Sequence, residues 1–389
     1  MDIEEAIDAS IRPRLIEVLG RQITNSLLAQ ATLSYVSVDG TEEEKVKAFV
    51  RAICSDHRVV SEWSEQDVAQ LEAEWVGLLA PDVRSEDEEG GAPMTARILD
   101  GRAMAKQVRE EIVAEVTEFG AQHGFAPTVA VVRAGEDPAS VSYARMIKRS
   151  FENAGMNFVL HALPGTAVQE QIADVITMLN ADRTVNGIMV QEPLPREIDD
   201  IAIKSAIAPE KDADGVNPIN AGRLAQAAPV GRSSGVRDYL VPATPLGGLE
   251  MLKRAGIQID GQHAVVVGRS NIVGRPMAFL LMQHHATVSM CHSHTRPLGE
   301  VTRGADILCV AVGVPELIKA DMVKPRAVVI DFGFNRAEGE WVGDVDFEEV
   351  KEVAGAITPV PGGTGSMTNV MLMRNVITTA KRQVERRSR

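Results

Sequence analysis

Three stretches of the chain carry residue types that could act on a bound ligand. In 264-AVVVGRSNIVGRP-276 a β-branched run passes into a glycine turn and then into an apolar helical stretch, 276-PMAFLLMQHH-285. Backbone N–H groups at such a helix start can hold a pyrophosphate. The full G-x-G-x-x-G is absent, so Gly268 and Gly274 can equally be read as shaping a tight turn. The next run, 286-ATVSMCHS-293, ends in Cys291, His292 and Ser293, where an NAD-specific sheet often places an acid for the ribose 2′-hydroxyl. With no carboxylate there and Arg269 beside the first turn, NADP is favoured over NAD. A salt bridge from Arg269 to a surface acid is the alternative. Cys291, His292 and His294 have metal-ligating chemistry, but neighbours on an extended segment point in alternating directions, and no metal site is expected.

Such residues need parallel strands to bring them together. From Met94 onward helical patterns alternate with short β-branched runs: 128-TVAVVRAG-135, 186-NGIMVQ-191, 263-HAVVVGRS-270, 306-DILCVAVG-313 and 327-AVVIDFG-333. That rhythm argues for an α/β body of parallel sheets with crossover helices, with a doubly wound dinucleotide domain beginning near Val241. Aromatic residues make up only 4% of the chain, so Val, Ile, Leu, Met and Ala must fill its cores, as is usual for parallel sheets covered by helices.

Residues 1–93 differ in character. They hold 20 of the 54 Asp/Glu but only 8 of the 40 Lys/Arg, so most of the net charge of −14 belongs to them. The nearly neutral remainder, without a basic stripe legible in sequence, gives no support for nucleic-acid binding. Thr41-Glu42-Glu43-Glu44 reads as a capping box ahead of Val46, Phe49, Val50 and Ile53 at helical spacing. Ser64 and Asp67 open a similar stretch with Val68, Leu71, Trp75 and Leu78 on one face. A small, acidic, mainly helical domain over 1–84 follows, read as a docking or oligomerisation module without chemistry, its protein partner unknown. The acid, Gly and Pro run over 85–93 reads as a linker. No apolar stretch approaches the ~20 residues that span a bilayer, and Met1-Asp2-Ile3-Glu4-Glu5 is not a basic leader, so no membrane association and a cytoplasmic location are expected. Cys54, Cys291 and Cys309 lack C-x-x-C spacing and are expected to be free thiols.

Longer motifs, in order along the chain, carry a resemblance. They are 136-EDPASVSYARMIK-148, 190-VQEPLP-195, 209-PEKDADGVNPINAGRL-224, 242-PATPLGG-248, 265-VVVGRSNIVGRP-276, 291-CHSHT-295, 324-KPRAVVIDFGFNR-336 and 357-ITPVPGGTGSMT-368. Over essentially all of 94–389 the sequence resembles the bifunctional methylenetetrahydrofolate dehydrogenase/methenyltetrahydrofolate cyclohydrolase family. The resemblance implies a folate cleft between two α/β domains, and usually a homodimer. The first domain, 94–240, would be completed by a C-terminal helix at 366–389, and 241–365 would be a Rossmann-type NADP domain. It places Tyr143, Val190, Gln191 and Asp214 at the folate, with Tyr143, Gln191 and Asp214 as catalytic candidates. Pro361, Gly362, Gly363 and Gly365 fall on the loop where folate and nicotinamide meet. Gly268, Arg269, Ser270, Ser293 and Thr368 fall on cofactor positions. Each has a plainer reading: Tyr143 as core, Gln191 as a strand-end hydrogen bond, Asp214 as a turn former before Gly215.

The match fails at one point that matters chemically. The family pattern after the tyrosine is Tyr-x-x-x-Lys, the lysine serving the cyclohydrolase step, and here that position is Ile147. Lys148 is next door, but one residue on a helix turns a side chain by ~100°. Hydride removal needs mainly alignment, whereas hydrolysis of the methenyl product needs proton movement. The expected activity is therefore NADP-dependent oxidation of 5,10-methylenetetrahydrofolate to the methenyl form, with cyclohydrolase weak or absent. Glu192, Thr364 and Ser366 also depart from the family pattern near the cleft. They leave open a paralogue acting on a modified pterin or another one-carbon amine adduct, or a non-catalytic NADP-binding regulator.

Overall fold

A computed structural model of the chain describes residues 7, 11–37, 42–60, 68, 71, 75, 95–232, 237–337 and 339–387. It divides into two compact units, Met1–Ala92 and Pro93–Arg389. In the first, α1 (Arg12–Leu19), α2 (Arg21–Ser37), α3 (Glu42–Cys54) and the single turn α4 (His57–Val60) surround a small core. Val46, Phe49, Val50 and Ile53 are buried there as their spacing requires, with Leu15, Leu27 and Trp75. The expected cap at Thr41, the start of the second stretch at Ser64 and Asp67, its Leu78 and the linker over 85–93 lie outside the described residues.

The second unit has two lobes. In the first, β2 (Thr128–Ala134), β3 (Asn157–Leu163) and β4 (Gly187–Val190) form a parallel sheet in the order β3-β2-β4. Every residue of β2 is buried, which is why it reads as a continuous apolar run. Helix α5 (Gly101–His123) precedes the sheet, and α6 (Pro138–Asn153) and α7 (Gln169–Ala181) make its crossovers. Caps set the helix starts: the Asp100 carboxylate accepts from the N–H groups of Arg102 and Ala103, and Asp137, followed by Pro138, accepts from Ser140 N–H. After β4 come α8 (Asp200–Ala206), α9 (Pro218–Gln226) and α10 (Ala243–Arg254).

The nucleotide lobe is a six-stranded sheet in the order β1-β11-β8-β7-β5-β6, every pairing parallel. Its strands are β1 (Arg97–Ile98), β5 (His263–Val267), β6 (Thr287–Cys291), β7 (Ile307–Val310), β8 (Val328–Asp331) and β11 (Ala356–Ile357). Helices α11 (Gly274–Gln283), α12 (Leu298–Thr302) and α13 (Phe347–Val350) connect them, and a small hairpin, β9 (Asn335–Ala337) with β10 (Glu340–Val342), projects after β8. Helix α14 (Thr364–Arg387) then returns and packs on α5 and α10, its Arg374 and Lys381 paired with Glu111 and Glu115.

Two boundaries differ from the sequence expectation. Strand β1 lies within the stretch assigned to the first lobe but pairs with β11 at the edge of the nucleotide sheet. Two exposed residues held by backbone hydrogen bonds leave no side-chain pattern to read. The last helix starts at Thr364 rather than 366 because the Thr364 hydroxyl, buried, donates to the Asp331 carbonyl at 2.8 Å and anchors the first turn.

Candidate active site

The two lobes face each other across a cavity of ≈ 540 Å³, lined by Asp200, Lys204 and Val216 on one side and by Ser270, Asn271 and Arg275 on the other. On the nucleotide side, β5 and β7 are adjacent while β6 lies beyond β5 and β8 beyond β7, so the strand order reverses between β5 and β7. Ligands of doubly wound sheets bind outside the carboxyl ends of the strands at that reversal. Gly268 sits there with φ +127°, and a Cβ on it would lie 2.2 Å from the Ala311 carbonyl oxygen after β7. Gly274 approaches equally closely, since its Cβ would meet the Gly268 oxygen at 2.2 Å. Both glycines are steric requirements of a tight turn, and that turn aims a helix start at the reversal point. The Ser270 hydroxyl accepts from the N–H groups of Val273 and Gly274, capping α11.

Arg269 is exposed beside this turn and forms no ion pair with any described residue, so the surface-acid alternative does not hold. Its charge reaches His292 at the end of β6, where desolvation, Arg269 and His294 together hold the imidazole pKa below its usual value. Ser293 is exposed next to it. Cys291 points into the core, and burial raises its thiol pKa. All three cysteines are buried and none is in a disulfide. A phosphate on the ribose 2′-oxygen would find a free guanidinium and a hydroxyl here and no carboxylate. These residues fit a phosphorylated dinucleotide.

On the other side, Gln191 lies at the carboxyl end of β4, just past Val190, and is 2% exposed. Its Nε2 donates to the Ser140 carbonyl at 2.6 Å, while Oε1 is buried without a partner. A buried acceptor left unmade costs about 1–3 kcal/mol, which a ligand donor would recover. Tyr143, on the second turn of α6, is partly buried against the core; desolvation, then the charge of Asp214, raises its phenol pKa. Asp214 is pushed up to about 7 by burial first, then by Asp212 and Glu192, against a lowering influence from Lys204. Gly215 after it has φ +72°, and a Cβ there would be 2.3 Å from the Val241 carbonyl carbon. That contact fixes Asp214 beside the start of α10. Tyr143, Asp214, Glu192 and Lys204 thus form one electrostatic neighbourhood, with Gln191 covalently next to Glu192.

Lys204 was not singled out from sequence. It is 13% exposed at its side chain and bonds to Glu192 at 2.5 Å and Asp200 at 2.8 Å. Burial opposes its charge, but the hydrogen bonds it donates to Asp200 and Glu192 outweigh this and raise its pKa. The Asp200-x-x-x-Lys204 spacing on one helix face was the available signal.

Ile147 is fully enclosed in the core, with 0% exposure, while Lys148 is exposed and reaches Glu152 at 3.8 Å. The helical register therefore offers no amine at the position the family pattern gives to lysine. The loop 361–365 packs on the start of α5: a Cβ on Gly101 would meet the Gly363 oxygen at 2.1 Å, and Gly362 has φ +115°. Gly365 faces open space and Pro361 is exposed. Thr368 bonds to Thr244 at 3.2 Å, joining α14 to α10.

With this geometry established, comparison with known proteins decides the family. The sequence profile of the tetrahydrofolate dehydrogenase/cyclohydrolase catalytic domain matches residues 99–214, and that of the family's NAD(P)-binding domain matches 242–384. The chain belongs to the tetrahydrofolate dehydrogenase/cyclohydrolase family. The α/β fold and the reading of the body as an NADP-dependent oxidoreductase of one-carbon metabolism stand with it. The bifunctional protein FolD of Chloroflexus aurantiacus is 52% identical over 289 residues, covering 74% of this chain and 98% of the relative. Among solved structures, FolD methylenetetrahydrofolate dehydrogenase/cyclohydrolase from Campylobacter jejuni superposes with a TM-score of 0.70 at 41% identity, covering 74% of this chain and 99% of that one. The Trypanosoma brucei dehydrogenase-cyclohydrolase, complexed with NADP and an inhibitor, gives 0.69 at 35%, covering 75% and 99%. Neither family profile reaches residues 1–98. Among the described residues no helix is long and apolar enough to cross a membrane.

Proposed function

We propose that the protein oxidises 5,10-methylenetetrahydrofolate to 5,10-methenyltetrahydrofolate with NADP and has little or no cyclohydrolase activity. The observation that carries the second half is Ile147, sealed in the core at the position of the family lysine. NADP is the cofactor: Gly268 admits the pyrophosphate, Ser270 keeps the helix start rigid, and Arg269 with Ser293 takes the 2′-phosphate. The T. brucei relative, complexed with NADP, supports this choice.

Bound NADP supplies the hydride acceptor. Departure of hydride from a carbon held between two nitrogens is driven by nitrogen lone-pair donation, so the chain contributes alignment and exclusion of water. Asp214 accepts from the pterin N–H groups, Tyr143 braces the ring system, and Gln191 Oε1 takes a ligand donor. The loop 361–365 lies where the pterin approaches the cofactor. Hydrolysis of the methenyl product needs water attack and proton transfer, and a neutral Ile147 offers no acid or base for either. Lys204 is committed to Glu192 and Asp200.

A paired assay tests the reading: NADPH formation from methylenetetrahydrofolate, then decay of methenyltetrahydrofolate without cofactor. NADPH formation with decay at the uncatalysed rate is expected. Fast catalysed decay sinks the second half, and NADP binding without NADPH formation from any folate moves the substrate to another one-carbon amine adduct. The protein is further read as a cytoplasmic homodimer with residues 1–84 as a docking module; light scattering of the full chain checks the oligomer.

A further inference from the structure

Arg133, near the end of β2, is the one buried arginine among the described residues, 6% exposed. A cation taken out of water needs its donors met. Lys211, the other buried cation among the described residues, meets this condition, its Nζ donating to the carbonyls of Leu179, Asn180 and Asp182. Arg133 does not. Its Nη2 donates to the exposed Glu136 at 2.9 Å, and its Nε is enclosed without a partner among the described residues.

This unmet donor stands beside the unmet acceptor of Gln191. Strands β2 and β4 pair in register as far as Val132 and Val190, and the Gln191 N–H donates to the Val132 carbonyl, so Arg133 and Gln191 are neighbours across the two strands. Alternation puts both side chains on one face. Val129 and Val131 of β2 and Met189 of β4 join the core that holds Ile147 and Phe151 of α6, whereas Ala130, Val132 and Ile188 join the core on the other side. The two side chains also end against the same short stretch, 136–140, at the head of α6: Arg133 reaches Glu136, and Gln191 reaches the Ser140 carbonyl. Tyr143 follows on the next turn. A donor and an acceptor, both buried and both unmet, thus lie side by side beneath the helix that carries Tyr143.

We propose that Arg133 is a specificity-determining residue whose Nε donates to the ring carbonyl of a 4-oxopterin, next to the ring N–H that Gln191 Oε1 accepts. The inference rests on the folate reading above. The lactam edge of such a ring presents an acceptor beside a donor, the complement of the two unmet atoms, and leaves the exocyclic amino group to Asp214. A guanidinium stays charged at any working pH and has no acceptor, so this bond is charge-assisted and cannot reverse its direction. A 4-amino ring reverses both edge atoms, setting donor against donor at Arg133 and acceptor against acceptor at Gln191. Buried groups left in that state reject a ligand far more strongly than a missing apolar contact does.

The test is calorimetric titration of the full-length protein with tetrahydrofolate and with its 4-amino-4-deoxy counterpart. The wild type should bind the oxo form about 100-fold more tightly, and Arg133→Met should cut that ratio to about tenfold, the remainder being Gln191. The same variant should raise the KM for methylenetetrahydrofolate about tenfold and leave that for NADP unchanged. If Arg133→Met does not fold, Arg133→Lys, which keeps the charge but moves the donor, takes its place with the same expectation for the ratio. A wild-type ratio below about threefold overturns the proposal. So does a variant that melts lower yet keeps the wild-type ratio, since an arginine that only props the head of α6 predicts that result. Discrimination between the two ligands without NADPH from any folate fails the reaction reading while the role of Arg133 stands; NADPH formation without discrimination does the reverse.

Discussion

Glu192 and Lys204 meet at 2.5 Å, from the loop after β4 and the middle of α8, and Asp200 closes on the same ammonium at 2.8 Å. A carboxylate at this departure from the family pattern would repel an anionic substrate if it stood alone. Here it is neutralised, and the same lysine offsets part of the charge around Asp214.

Lys204→Met should therefore raise the folate KM by about three- to tenfold, a change of the size expected when one partner of a half-buried pair is removed. Glu192→Gln/Lys204→Met should recover most of it. A steady-state double-mutant cycle reads this, and a double variant as impaired as Lys204→Met sinks the compensation argument.

Asp214 gives a pH dependence with a definite sign. Its carboxyl sits at about 7 in the folded chain against 3.8 unperturbed, so the folded state binds its proton more tightly. The stability it contributes is full below about pH 4 and lost as pH rises through about 7. Asp214→Asn should melt progressively higher than the wild type as pH goes from about 5 to 8. Substrate binding should run the other way in the wild type, the folate KM falling through pH ~7 as the carboxylate ionises to accept pterin N–H groups, and this inflection should vanish in the variant.

Arg269→Ala should raise the KM for NADP by about 10- to 100-fold and leave that for NAD within about twofold, since only the 2′-phosphate loses a charged partner. Gly268→Ala should weaken both cofactors, because its Cβ would clash with the Ala311 carbonyl. Kinetics with each cofactor separates the two; equal effects of Arg269→Ala on NADP and NAD would remove that residue from the 2′-phosphate.

Ile147→Lys places an amine one helical turn from Tyr143. Methenyltetrahydrofolate decay should accelerate while NADPH formation persists. The change forfeits about 1.5–3 kcal/mol of apolar burial, so melting should fall by roughly 3–10 °C. No gain in decay from a variant that still melts cooperatively would count against Ile147 as the cause of lost hydrolysis.

Much of this arrangement was legible beforehand because it is written in local patterns. The buried strands β2, β5, β7 and β8 read as apolar runs, whereas the caps Asp137 and Asn217, each followed by a proline at the helix start, emerged only with the structure. The turn at Gly268 read only as a candidate, because closeness to Ala311 is a contact across the sheet. Lys204 escaped notice since its partner Glu192 lies twelve residues away in sequence. Asp344 did so too: its buried carboxylate accepts from the N–H groups of Val312, Gly313 and Val314 and from Asn335, organising the loop beside Gly268. Nothing in 343-GDVDF-347 signals which backbone amides will come to it.

The pairing of β1 with β11, set against the return of α14 to α5, has a consequence for dissection of the gene. The nucleotide lobe takes its edge strand from the beginning of the catalytic body, and the other lobe takes its longest covering helix from the end. A fragment cut at 240 would expose the apolar face of α5 that α14 covers, and the fragment beyond it would carry an open sheet edge. The halves are thus expected to be recoverable only when co-expressed, so that one function could not be inherited without the other.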